Sequence, residues 1–262
     1  PERRSTAFGV VTVAFSIGMF VMAPLIQYLI NYYGWSRALQ AGGGLVLIIS
    51  LLALGLPGNK SKREIHTEPK PDSELTLLET IYGAMSHSGY LLLNVGFFVC
   101  GFHVAFIGTH LPSFLQSEGI SVSTASWALA MIGLFNMFGS MIFGRMGDSL
   151  SKKNLLSLLY TLRAVVIAGF IAIPINEITA IVFGAAIGFF WLATVPLTSG
   201  IVAQVFGTRY LSTLWAIVFF SHQIGAFLGV WLGGRVYDET GSYTPVWLAS
   251  IALGLLAGII HL

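Results

Sequence analysis

Arg163 stands where an arginine is costly to place. It lies nine residues into the apolar run 154–173. At 1.5 Å per residue that is about 13 Å deep, near the middle of a ~30 Å hydrocarbon core. A guanidinium at such depth costs roughly 2.5–3.5 kcal/mol to insert. No Asp or Glu lies in any of the chain's apolar runs to neutralise it. Its partner is therefore a polar neighbour, a part of the protein outside this sequence, or an anionic ligand, and its planar fork suits a carboxylate. The competing reading is an arginine bonded to helix carbonyls, which needs no ligand.

Other polar groups sit in the same kind of surroundings. His103 and His110 lie in one run, seven residues apart and so about 20° short of two full turns. They share a face which, with Thr109 and Pro112, can line a water-filled path. His222 lies in a later run. Imidazole titrates near neutrality, so each of the three can carry a coupled proton; a neutral ring bridging two helices is the alternative. Asn136 and Ser140, four residues apart, share a helix face. Trp191, Thr194 and Thr198 form a stripe interrupted by Pro196, which kinks a helix and frees a carbonyl beside a cavity. Ser221, Gly225, Gly229 and Gly233 repeat every four residues and read as a packing stripe, with His222 and Gln223 beside it. The substrate set is then Arg163, Asn136, Trp191, Thr194, His222 and Gln223, and the proton-coupling set is His103 and His110.

Several chemistries are excluded. Two histidines at this spacing without a carboxylate make a poor metal site. The single Cys100 rules out an internal disulfide and a cysteine metal cluster. Neither His-Glu-x-x-His nor Gly-x-Ser-x-Gly occurs. No enzyme activity, metal or cofactor is expected.

The elements that must position these groups follow from composition. The 262 residues are 55% hydrophobic and 9% charged, with mean hydropathy +0.81, where soluble domains carry about 25% charge. Net charge is +2, so no nucleic-acid partner is implied. Eight apolar runs stand out, at about 5–30, 38–56, 89–115, 125–144, 154–173, 178–204, 211–234 and 245–262. Arg163 is the one charged residue inside them. Runs of this length cannot be barrel strands, so the expectation is an all-α polytopic membrane protein.

Eight spans put both ends on one side. That side holds Arg3, Arg4, Lys60, Lys62, Arg63, Lys70, Arg145, Lys152, Lys153 and Arg209, whereas the other holds Arg37 and Arg235. The asymmetry places both ends in the cytoplasm, for a multi-pass protein of the plasma (inner) membrane. Residues 57–88 form the one long connection, with Pro57, Gly58, Pro69 and Pro71. Within it, Thr76 to Ser88 reads either as a short surface helix or as a disordered loop. The division is 1–56, two helices; 57–88, a cytoplasmic linker; and 89–262, a six-helix bundle. Two spans before the linker and six after it are lopsided for a two-bundle transporter. The expectation is that the first four spans are missing, with a true eight-span protein as the alternative.

The loop Gly144-Arg145-Met146-Gly147-Asp148-Ser149-Leu150-Ser151-Lys152-Lys153 carries an acid beside cations, which can pin neighbouring helix ends and act as a gate. It resembles the G-x-x-x-D-[RK]-x-G-[RK]-[RK] signature of the major facilitator superfamily, with Gly144, Asp148, Lys152 and Lys153 matching and Ser149 and Ser151 departing. Arg3-Arg4, Ala7, Gly9 and Gly18 look like the R-R-x-x-A-x-G segment that opens the fifth helix in the monocarboxylate-transporter and oxalate/formate-like branch. Phe206 to Tyr210 and Asp238 to Tyr243 flank a run similar to the eleventh helix of bacterial members. The resemblance implies helices five to twelve of a twelve-helix fold with one central site and alternating access. It also implies that Asn136 and Ser140 stand where monocarboxylate transporters often carry an Asp and an Arg, and that the helix of Arg163 is peripheral to the cavity.

The functional expectation is a secondary transporter of a small organic anion, proton-coupled or antiport, working as a monomer in the bilayer. Its alternatives are a drug or metabolite exporter of the same fold, and a transport-dead membrane sensor or scaffold.

Overall fold

The structure, a computed structural model, describes residues 4–54 and 76–262, and of residues 4–11 and 49–54 only the backbone. Every described element is an α-helix. The first, α1 (Arg4–Leu54), holds both N-terminal apolar runs and is divided at Gly34, whose φ of 79° and ψ of 163° leave the helical region. A side chain there would be strained, so the break falls where only glycine sits comfortably. Arg3, Lys60, Lys62, Arg63 and Lys70 lie outside the described residues, as does the linker up to residue 75. The side chains of Arg4 and Ala7 lie outside them too.

The end of the expected linker is a helix, α2 (Leu77–Met85). Thr76 and Glu79 form its capping box: the Thr76 N–H donates to Glu79 Oε2 at 2.6 Å, and the Glu79 N–H donates to the Thr76 hydroxyl at 3.3 Å. The backbone bond from Thr76 holds the exposed Glu79 carboxyl below its usual range.

The remaining runs become α3 (Ser88–Ser117), α4 (Val122–Ser149), α5 (Lys152–Ala172), α6 (Glu177–Phe189), α7 (Thr194–Phe206), α8 (Leu211–Thr240) and α9 (Thr244–Ile260). Among the described residues six stretches are long and apolar enough to cross a membrane, against eight runs in the sequence. The two N-terminal runs merge into Thr12–Ile48, and α9, at 17 residues, is about 25 Å long and falls short of a full span.

Helices pack in pairs, α3 on α8, α4 on α6 and α5 on α9, with α7 touching α3, α4, α5 and α8 and α1 lying along α4. The α3–α8 seam is the small-residue stripe. The Ser221 hydroxyl donates to the Asn94 carbonyl at 2.9 Å, Gly225 faces the Phe98 carbonyl, and Gly229 faces that of Phe102. A Cβ on Gly229 would sit 2.5 Å from the Phe102 oxygen, and both are backbone, so the helices themselves would have to part. Gly229→Val is therefore expected to destabilise the protein by roughly 1–3 kcal/mol or more. Thermal unfolding in detergent checks this, and a wild-type melting temperature would contradict the seam.

Two apolar clusters fill the interior. One is aromatic, with Phe170 stacked on Phe183 at 3.9 Å and Trp247 edge-on to Phe106 at 4.8 Å. The other joins Tyr90, Phe97, Leu159, Leu197 and Leu214. Arg163, fully buried, stands on α5 between Tyr160 of one cluster and Ile167 of the other.

Candidate functional site in a broken helix

The run 178–204 is not one helix. It stops at Phe189 and resumes at Thr194. Pro196 explains the interruption: it has no N–H to offer the carbonyl four residues back, and its ring crowds that carbonyl. The proline falls in the first turn of α7, where a missing donor costs least, and the irregular stretch lies just ahead of it. Phe190 and Trp191 close tight turns onto Ile187 and Gly188, at 3.1 and 2.9 Å. Their own carbonyls and the Leu192 N–H are left over.

Two residues singled out in the sequence take up these leftovers. Arg163 on α5 donates from Nη2 to the carbonyls of Phe190 at 2.6 Å and Trp191 at 2.7 Å. Asn136 on α4 accepts the Leu192 N–H through Oδ1 at 2.9 Å. The same Oδ1 accepts the Ser140 hydroxyl at 3.2 Å, while Nδ2 donates to the Ser16 hydroxyl of α1 at 2.9 Å. Ser16 in turn donates to the Thr12 carbonyl at 2.9 Å. One carboxamide thus ties α1, α4 and the break together.

Arg163 is only half used. It is fully buried, and its Nε and Nη1 have no hydrogen-bond partner among the described residues. Its guanidinium carbon lies 5.5 Å from the centre of the Tyr160 ring. Trp191 and Thr194, also buried, flank the break. The Thr194 hydroxyl is 3.2 Å from Cys100 Sγ on α3, and the next residue, Gly101, lies against the His222 carbonyl of α8. Gln223 is exposed beside it, and its Oε1 is 3.1 Å from His222 Nδ1. The structure therefore gathers Arg163, Asn136, Trp191 and Thr194 around the break, with His222 and Gln223 at the edge. Cys100 is a member the sequence did not nominate, because its partner Thr194 stands 94 positions further along the chain and leaves no local pattern.

The other two histidines point elsewhere. His103 Nε2 is 2.7 Å from the Ser250 carbonyl of α9, and its buried Nδ1 has no partner among the described residues. His110 Nε2 is 2.9 Å from the Val230 carbonyl of α8, with the ring against Tyr243. A carbonyl can only accept, so each Nε2 carries its proton.

The two lysines after the loop between α4 and α5 reach neighbouring segments. Gly144 is buried in α4 and Asp148 is exposed near its end. Lys152 Nζ donates to Gln204 of α7 at 3.3 Å, and Lys153 Nζ to the main-chain oxygen of Leu262 at 2.5 Å.

Comparison with known proteins fits these features. A family model described as Major Facilitator Superfamily matches residues 1–229. Mouse (Mus musculus) monocarboxylate transporter 12 is 27% identical, over all of this chain and 60% of its own length. Rat (Rattus norvegicus) monocarboxylate transporter 13 is 29% identical, over 98% of the chain and 58% of its own length. An uncharacterised MFS-type transporter of Bacillus subtilis (strain 168), YcxA, is 24% identical, over 99% and 64%. The chain spans less than two thirds of each of these relatives. With its apolar helices, this is a multi-pass membrane protein, and the chain belongs to the Major Facilitator Superfamily.

Proposed function

We propose that the protein containing this chain moves a small, monocarboxylate-like organic anion across the membrane by alternating access, in symport with protons or in exchange. The observation that carries the reading is a buried guanidinium set into a broken helix with two of its nitrogens unclaimed. Half-helices that meet near mid-membrane are where transporters of this type build their sites, and an unpaired buried cation is neutralised best by an anion that comes and goes. The names of the mouse and rat relatives support the same cargo class.

In this reading residues 1–56 are the last two helices of a first bundle, 57–88 the cytoplasmic linker and 89–262 the second bundle. Arg163 attracts the anion, and Asn136, Trp191, Thr194, His222 and Gln223 shape its seat. His103, His110 and His222 are the candidates for the proton. Gly144, Asp148, Lys152 and Lys153 form a gate whose contacts to α7 and to Leu262 break and reform. The protein is a monomer in the plasma membrane, with both ends of this chain cytoplasmic.

A second reading has its own observation. A cavity of about 430 Å³ between α1, α3 and α4 is lined by Met19, Met22, Gln27, Gln116, Ser126 and Leu129 among others, with no charged side chain. The Ser126 hydroxyl within it is buried without a partner among the described residues. Such a lining suits an uncharged amphipathic molecule, as an exporter of drugs or metabolites would carry. Uptake of labelled pyruvate into proteoliposomes holding the full-length protein separates the two. Saturable uptake, inhibited by short-chain carboxylates and not by neutral amphiphiles, is expected; the reverse pattern would transfer the assignment to the exporter.

A further inference from the structure

Another cavity lies away from the helix break, at one end of the bundle. It has a volume of about 350 Å³ and sits where α3 and α5 begin and α7 and α9 end. Leu93, Val202 and Phe206 give it apolar walls, and His87, Lys153 and His261 line it with nitrogen. Tyr90 lines it too, but its hydroxyl donates to the Leu214 carbonyl at 2.8 Å. No Asp or Glu is among the described residues around it.

Each nitrogen is held by its own element. His87 caps α3: its Nδ1 accepts the Tyr90 N–H at 3.3 Å, so in the neutral ring Nε2 carries the proton. The ring stands edge-on to Phe206 at 5.7 Å. His261 follows α9, and its Nδ1 donates to the Ala257 carbonyl at 2.7 Å, one turn back. That leaves Nε2 with a lone pair. The residue is 7% exposed, and this nitrogen has no hydrogen-bond partner among the described residues. The ring lies 5.4 Å from that of Tyr160 and sits over Gly96 of α3, where any Cβ would collide with it. Lys153, in the first turn of α5, donates to the main-chain oxygen of Leu262 at 2.5 Å. Because Leu262 is the neighbour of His261, the cation and the lone pair stand side by side.

A buried lone pair calls for a donor, a cation calls for an anionic oxygen, and the apolar walls call for hydrocarbon. A carboxyl group meets both polar demands, with an oxygen for the ammonium and, in its protonated form, an O–H for the imidazole. A phosphate has three strong acceptor oxygens to satisfy, and here it would face one ammonium and one imidazole N–H. The volume is near the lower end for ligand cavities, which suits one alkyl chain better than the two of a phospholipid. Helix ends lie at the bilayer surface, where amphiphiles place their heads.

We propose that this cavity binds a long-chain carboxylic acid from the adjoining leaflet, its chain between α3 and α7 and its carboxyl group against Lys153 and His261. The carbonyl oxygen accepts from the Lys153 ammonium in place of Leu262, and the O–H donates to His261 Nε2; no covalent bond forms. Binding therefore releases α5 from the segment that follows α9. The proposal is independent of the cargo reading, since none of these residues lies at the helix break.

The test uses the full-length protein in detergent and palmitic acid bearing a mid-chain diazirine as the probe. Irradiation should label segments 87–93, 201–206 or 260–262 saturably, and unlabelled palmitic acid should displace the probe. The methyl ester has neither charge nor proton to offer and should compete about tenfold or more worse, and Lys153→Gln should weaken labelling by about the same factor. His261→Phe keeps a ring over Gly96 without the lone pair and should weaken it too. Val205 lines the cavity with a side chain 50% exposed, so Val205→Trp has room to fold and should block labelling at an unchanged melting temperature. Equal competition by the ester, label confined to other segments, or full labelling of both Lys153→Gln and Val205→Trp overturns the proposal. Stronger competition by lysophosphatidic acid than by palmitic acid overturns the carboxyl assignment. Pyruvate uptake does not enter the readout, so failure here and failure of the cargo reading are told apart.

Discussion

Arg163→Met in the full-length protein is expected to lower carboxylate uptake by about 10- to 100-fold while leaving a protein that still folds. The transport effect follows from charge: a hydrogen bond to an ionised group contributes roughly 1.5–3 kcal/mol, and each 1.4 kcal/mol is a factor of ten in binding. The stability effect is a difference between opposing terms. Methionine strips the carbonyls of Phe190 and Trp191 of their Nη2 donor, which costs about 1–3 kcal/mol for each group left unsatisfied. It also removes a fully buried charge, which relieves a desolvation penalty of several kcal/mol. The two nearly cancel, so transport should fall far more than melting temperature. Arg163→Lys keeps the charge but not the fork, and should restore little of either carbonyl contact. Uptake by Arg163→Met at the wild-type rate, with unchanged KM, would show that the arginine serves the helix break alone.

The second large effect is expected at Asn136. Three hydrogen bonds meet on this side chain, which is fully buried. Asn136→Leu keeps the volume and removes all three. The Leu192 N–H is then orphaned in an apolar interior, at about 1–3 kcal/mol, and the Ser16 and Ser140 hydroxyls must turn elsewhere. The total should approach 2–4 kcal/mol, large enough to read as a lower melting temperature in detergent. A local readout separates this from general loosening: hydrogen exchange in the segment 188–195 should speed up in Asn136→Leu and stay near wild type in Ser140→Ala. Unchanged exchange there would mean that Asn136 does not hold the break. Because its acceptor is already engaged twice, Asn136 has one free N–H to offer a substrate, so its larger contribution to transport is through the shape of the broken helix.

The class of the molecule was legible in the chain by itself. Twenty-three of the 24 charged residues fall outside the apolar runs, and hydrophobicity over some twenty residues is a local property that the bilayer reads directly. The packing stripe Ser221–Gly233 was legible for the same reason, since spacing of four along one helix is written in sequence. The family was legible because its loop motif is contiguous, at Gly144 to Lys153.

What Arg163 touches was not legible. Its acceptors lie 27 and 28 residues away, Asn136 meets Ser16 across 120, and Cys100 meets Thr194 across 94. The position of the break was half legible: Pro196 announces a disruption, but the released groups precede it and are defined by which side chains arrive to bond them. Partition into the bilayer is decided by sequence because each residue contributes to it nearly independently. Hydrogen-bond partners are decided by the packed backbone, since only there do a guanidinium from α5 and a carboxamide from α4 arrive at the same break between α6 and α7.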